Sequence, residues 1–224
     1  ETATGTVNFT PTDDSVYEGN ETAIIAISSV SGADASESGS QSVTITITEN
    51  ESAPTITLAR SAASIDENSA STVTLTATIS GVTDSAVTVA LDTSGTATEG
   101  TDYGTISDIT INAGATTGTA TLDPTDDNIY EDDETATIDI GSVSGKSGVT
   151  ENGTQQVSVT ITENESAPTV TLATSATSIA ENAGTSLTLT ATLSVATTAD
   201  VTVALSTSAV SYTHLTLPTT WLVG

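Results

Sequence analysis

Six carboxylates crowd into nine residues in the run Asp126, Asp127, Glu131, Asp132, Asp133 and Glu134. Like charges this close repel one another, so a compact loop carrying them must be solvated or neutralised by a bound cation. The donor chemistry narrows the choice of cation. Calcium takes about six to eight oxygen ligands in flexible geometry, magnesium demands a stricter octahedron, and zinc prefers nitrogen or sulfur. The chain has no Cys, and its one His, His214, lies outside the repeated sequence. Calcium is therefore the ion these residues fit. The run is not an EF-hand, because reading Asp126 as the first loop position puts Glu131 where that loop requires Gly. No glycine-rich nonapeptide repeat occurs either.

The run returns elsewhere in the chain. PTDDSVYEGNET from Pro11 matches PTDDNIYEDDET from Pro124, so Asp13, Asp14, Glu18 and Glu21 recur as Asp126, Asp127, Glu131 and Glu134. Recurrence separates a shared requirement from general acidity. Asp132 and Asp133 replace Gly19 and Asn20, and they read as solvated turn residues. Three further pairs fix the period: ITENESAPT at Ile47 and Ile161, TLTATIS at Thr74 with TLTATLS at Thr188, and VTVAL at Val87 and Val201. Each is offset by 114 (161 minus 47, 188 minus 74, 201 minus 87), whereas the acidic run is offset by 113 (124 minus 11). The one-residue insertion falls in SGADASESGSQ against SGKSGVTENGTQQ, a loop composition in which length changes are cheap.

The chain thus reads as a window cut from a tandem array. Residues 1–53 form the second half of one module, 54–167 a complete module and 168–209 the first half of a third. Residues 210–224 break the repeat. This tail, with His214 and Trp221 in VSYTHLTLPTTWLVG, resembles the translated read-through of a sequencing-library adapter and is expected to be non-native.

The elements that must hold the carboxylates in place alternate with period 2. SVTITITEN sets Val43, Ile45 and Ile47 on one face and Thr44, Thr46 and Thr48 on the other, the pattern of a half-buried strand. Short Thr- and Val-rich strands between Gly, Asp, Asn and Ser turns, with no sustained helical period, predict an all-β chain. Its modules are expected to be antiparallel Greek-key, immunoglobulin-like β-sandwiches. Aromatic residues make up only 3% of the chain, so the cores are thin and a bound ion is a reasonable source of added stability.

The charge balance excludes several functions. Asp+Glu number 29 against Lys+Arg 2, for a net charge of -27, which repels nucleic acid and anionic lipid. No apolar run approaches the ~18 to 20 residues that a membrane span needs. No nucleophile with a plausible base and no phosphate-binding glycine motif occurs, so the chain is not expected to be an enzyme.

In order along the complete module stand SIDEN (Ser64 to Asn68), VTVAL, SGTATEGTDY ending at Tyr103, DDNIYEDDE and VSVTITENE. This order resembles the Calx-beta domain, a calcium-binding β-sandwich of sodium/calcium exchangers, an integrin β subunit and large bacterial surface proteins. The resemblance implies that Glu67 and Asp102 are calcium ligands from loops and that Asp126 and Asp127 head the acidic loop. Glu131 and Glu134 follow them, the Ile129 carbonyl adds a further ligand, and Glu163, Asn164 and Glu165 end the closing strand. The family usually ends that strand in a run of Asp, and the substitution here leaves ion number and affinity open. The first module keeps only the later positions Asp13, Asp14, Glu18, Glu21, Glu49 and Glu51, and the third only Glu181, so neither fragment is expected to hold calcium as the complete module does.

By the same resemblance, calcium would stiffen the hinge Ser166 to Pro168 toward the neighbouring module. The chain would then serve as structural, adhesive spacer repeats of a secreted or cell-surface bacterial protein, whose host or cell-surface ligand is met by domains outside this window. Two alternatives stand beside this reading: a regulatory calcium sensor, and acidic spacers that bind no ion.

Overall fold

The computed structural model describes residues 3–182, 184–208 and 220–223, and among them every regular element is a strand. None of the described residues forms a helix long and apolar enough to cross a membrane.

The first module contributes the antiparallel pair β1 (Glu21–Ala26) and β2 (Ser42–Ile47), in the register Glu21↔Ile47. The central module contains β3 (Thr55–Arg60), β4 (Ser64–Asp66), β5 (Val73–Ile79), β6 (Val87–Gly95) and β7 (Ile109–Ile111). It continues with β8 (Thr117–Leu122), β9 (Ile129–Tyr130), β10 (Glu134–Ser144), β11 (Thr150–Glu151) and β12 (Gln156–Thr162). Residues 168–209, which the repeat marks as the expected first half of a third module, provide β13 (Val170–Thr174), β14 (Leu189–Leu193), β15 (Ala196–Thr197) and β16 (Val201–Ala204). Of the tail, residues 210–219 and 224, His214 among them, lie outside the described residues. Thr220–Val223 form β17, antiparallel to β16.

Period 2 decides which faces meet. In β5 the side chains of Val73, Leu75, Ala77 and Ile79 are buried while the intervening Thr residues are not. Such strands build two sheets in the central module, one ordered β4-β12-β10-β6-β7 and the other β11-β3-β5-β8. Their inner faces share one core that includes Ile56, Leu75, Val87, Ile109, Leu122, Ile138 and Val159. The module is the expected β-sandwich. Most strand pairs are antiparallel, but two edge pairs, β4 with β12 and β11 with β3, run parallel. Tyr103 is the largest fully buried side chain, which concentrates much of the scarce aromatic surface at one point.

The same alternation in β13 leaves its apolar side chains largely exposed. Leu172 is 57% exposed, whereas its repeat counterpart Leu58 is 7% exposed.

Candidate metal centre

Strand polarity explains why distant carboxylates meet. β4 runs parallel to β12 in the register Thr160↔Ser64, Ile161↔Ile65 and Thr162↔Asp66, so the residues that follow both strands emerge at one end of the sheet. The Glu67 N–H extends the pairing to the Thr162 carbonyl at 3.0 Å, placing Glu67 beside Glu163 and Glu165. β10 is antiparallel to β12, and its first residue, Glu134, lies opposite Ile161 at the same end. β6 is antiparallel to β10 with Gly95 opposite Ala136, so the loop that leaves β6 returns there as well.

That loop presents Asp102. The Thr96 and Ala97 N–H groups donate to the Thr135 carbonyl, and Gly95 (φ +119) allows the approach: a Cβ on it would lie 2.0 Å from the same oxygen. The Thr98 N–H donates to Asp102 Oδ2 at 2.6 Å, and the Thr125 N–H donates to the Asp102 carbonyl at 3.0 Å. Tyr103, next in sequence, is buried in the core and anchors the loop. Asp102 is itself only 9% exposed.

Two carboxylate triads result, Glu67 with Glu163 and Glu165, and Asp102 with Glu131 and Glu134. In each, one oxygen per residue lies within 4.8 Å of the others. Both border a pocket also lined by Asp132 and Ile161. Among the sequence-predicted residues, Asp126 is exposed and stands outside the triads, as do Asp127, Ile129 and Asn164. The Asp127 carboxylate instead accepts the Ile129 N–H at 2.6 Å, and the Asp127 N–H donates to Glu67 at 3.3 Å. Asn164 donates to Glu165 at 3.2 Å. In the first module Asp13, Asp14, Glu18, Glu21, Glu49 and Glu51 line one pocket, but they form no such triad. Glu181 is exposed in the third module.

The electrostatics divide the carboxylates by task. Burial pushes Glu67 up to about 7, the charges of Glu163, Glu165 and Asp127 add to it, and the Asp127 N–H opposes. Burial also raises Glu134 to about 7, reinforced by the hydrogen bond and charge of Asp102 and by Glu131 and Glu67. Glu131 is raised by burial and then by Asp102, Asp127 and Glu163. Glu165 is raised first by its hydrogen bond with Glu163 and then by burial. Glu163 goes the other way: burial opposes its charge, but the backbone N–H groups of Glu131, Glu165 and Asn164 outweigh burial.

Glu163 is thus a loop anchor as well as a triad member, accepting the Glu131 N–H at 2.5 Å and the Glu165 N–H at 2.7 Å. Its repeat counterpart Glu49 does the same with Glu18 and Gly19, both at 2.6 Å, and with Glu51 at 2.9 Å. Donation from Glu51, Gly19 and Glu18 lowers Glu49 to about 2. Asp133 is exposed outside the strands, as a solvated turn residue would be, and its carboxylate also accepts the Glu163 N–H at 3.0 Å, as Asn20 does for Glu49 at 2.9 Å. The signal was available: Asn and Asp share the acceptor oxygen at that position of the repeat. Asp132 has φ 92 and accepts the Tyr130 hydroxyl at 3.0 Å.

The Calx-beta domain family model matches residues 1–51 and 49–165. The chain belongs to the Calx-beta domain family. Calx-beta domains are calcium-binding modules. Among solved structures, an apo-form Calx CBD1 domain is similar at 21% identity over 50% of this chain and 99% of that one, with a TM-score of 0.40. CBD12 from CALX1.2 is similar at 20% identity over 47% of this chain and 44% of that one, with a TM-score of 0.39. No curated protein matches the chain.

The residues of this Calx-beta chain fit calcium. Every charged donor at the site is a carboxylate oxygen, as a hard cation requires. Glu165 Oε2 is buried and has no hydrogen-bond partner, an unsatisfied acceptor that a cation would satisfy. The raised carboxyls carry the same message, since burying like charges together without a cation is costly.

Proposed function

We propose that residues 54–167 hold calcium through Glu67, Glu163 and Glu165 on one side of the pocket and Asp102, Glu131 and Glu134 on the other. Asp127 and Asn164 orient these ligands through the hydrogen bonds described above. Asp126 and the Ile129 carbonyl supply oxygens at the loop's outer edge, as the family resemblance implies. A bound calcium ion supplies the positive charge that lets six acidic groups ionise side by side. The carrying observation is the convergence of two triads, one with an orphaned buried oxygen, at a single end of the sandwich.

The parallel pairing of β9, in the acidic loop, with β15 supports a site next to the following module. The biological reading is therefore a repeat whose junctions stiffen when calcium binds, in a spacer or adhesive array of a secreted or cell-surface protein. Near-identical repeats favour a spacer over a regulatory sensor, which needs one or two tuned sites.

Calcium titration of the 224-residue chain by calorimetry, with thermal melts in calcium and in chelator, tests the proposal. It predicts binding heat and a higher melting temperature in calcium. No heat and an unchanged melt at millimolar calcium would overturn it.

A further inference from the structure

The tip of the acidic loop makes a second contact, one that uses no carboxylate. In the first module the Tyr17 N–H donates to the Val82 carbonyl at 2.9 Å, and Tyr17 forms a parallel β-bridge with Thr83 of the central module. In the central module Ile129 and Tyr130 pair in parallel with Ala196 and Thr197 of the third. Tyr130 is the repeat counterpart of Tyr17 (17 plus 113), and Thr197 is that of Thr83 (83 plus 114). The same two points of the repeat therefore meet twice in one chain. The receiving turn is also built alike in both places: Thr83 Oγ1 donates to the Ser85 carbonyl at 2.8 Å, and Thr197 Oγ1 to the Ala199 carbonyl at 2.7 Å.

The first of these contacts carries an addition. Lys146 is the only lysine in the chain, and its side chain is 11% exposed. Its ammonium lies 2.6 Å from Asp84, donates to the Glu18 carbonyl at 2.5 Å and stands 5.9 Å from the centre of the Tyr17 ring. Ordering a four-carbon stem costs side-chain entropy, which the contacts converging on one ammonium offset. Gly148 makes room for the Tyr17 hydroxyl: a Cβ there would lie 2.2 Å from it. At the second contact the counterpart of Asp84 is Thr198, so the acidic partner is missing.

We propose that these contacts are a repeated joint between modules. The acidic-loop tip of one module seats on the Thr turn of the next, and Lys146 with Asp84 locks the first joint at a fixed angle without calcium. The lock goes beyond the calcium reading and does not depend on it.

The absence of native Cys allows clean spin labelling. Labels at exposed Thr44 and Thr119 read the first joint, and labels at Thr119 and exposed Thr192 read the second. Pulsed dipolar spectroscopy on the full chain in excess chelator is expected to give one narrow distance peak for the first pair. Lys146→Met, which keeps the aliphatic stem, and Asp84→Asn should each abolish that narrow peak while leaving the Thr119–Thr192 distribution unchanged. An unchanged first peak in both variants overturns the lock. So does a change shared by both pairs, which would place the effect in the fold of the central module. Because these arms contain no calcium, a failure of calcium binding alters none of them.

Discussion

Glu67→Gln is expected to act in opposite directions with and without calcium. Glu67 is 7% exposed, and its carboxyl is raised from 4.5 to about 7, chiefly by burial. In the unfolded chain it titrates at its ordinary value, so between those two pH values the native state binds the extra proton. Stability without calcium therefore falls as pH rises through that window, and the full penalty applies above it. At ~1.4 kcal/mol per pH unit, a carboxyl raised this far costs at most ~3.4 kcal/mol at pH 8. Water reaching the open side of the pocket, where Asp132 and Asp133 are exposed, reduces the expected cost to ~1–2 kcal/mol. Glutamine keeps the acceptor for the Asp127 N–H and removes the charge. In chelator at pH 8 the variant should melt ~4–8 °C above the parent, given ~4 °C per kcal/mol for a domain of this size. At pH 4.5 the two should coincide. In calcium the order should reverse, because the parent gains ~2.7 kcal/mol when free ion is 100-fold above its dissociation constant and the variant has lost a ligand. Differential scanning calorimetry across pH measures both arms. A variant that melts no higher than the parent in chelator at pH 8 refutes the desolvation argument, and one that keeps the full calcium gain refutes the ligand assignment.

Three further outcomes follow from the geometry. Asp102→Asn, within a triad, should weaken calcium binding by calorimetry more than Asp126→Asn, which is exposed and outside both triads; equal effects would contradict the assignment. Asp133→Asn should melt like the parent because Asn20 makes the same bond in the first module. Asp133→Ala should cost ~1 kcal/mol by orphaning the Glu163 N–H, and chemical denaturation distinguishes the two. Tyr103→Ala should cost ~3–5 kcal/mol and lower the melting temperature with or without calcium, since it removes the largest buried side chain and the anchor of the Asp102 loop.

The strands were legible because alternation reports burial directly: Val43, Ile45 and Ile47 announce one face of a sheet whatever surrounds them. The acidic loop was legible because it occurs twice. The convergence of Glu67 on Glu163 and Glu165 could not be derived from local pattern, since it depends on a parallel pairing between strands almost a hundred residues apart, and only the family resemblance placed those residues together. The anchoring work of Glu163 and Asp133 was hidden for another reason. A carboxylate that accepts backbone N–H groups looks, in sequence, like one that faces a metal. The joint at Tyr17 and Tyr130 leaves a trace in the sequence: the tyrosine recurs in PTDDSVY and PTDDNIY, although nothing in the acidic chemistry requires an aromatic ring there.

The parallel pairing of β4 with β12 bears on how the module answers tension along the array. β4 lies near the start of the module and β12 near its end, so pulling the array taut drags β4 toward its own N-terminus and β12 toward its own C-terminus. In a parallel pair those directions oppose each other along the strand axis, and the hydrogen bonds across Ser64–Asp66 and Thr160–Thr162 are loaded together in shear instead of being peeled one at a time. Glu67, Glu163 and Glu165 follow those same strands, so an ion held among them would rivet the sheared ends together. Extending such a module should then demand more force in calcium than in chelator.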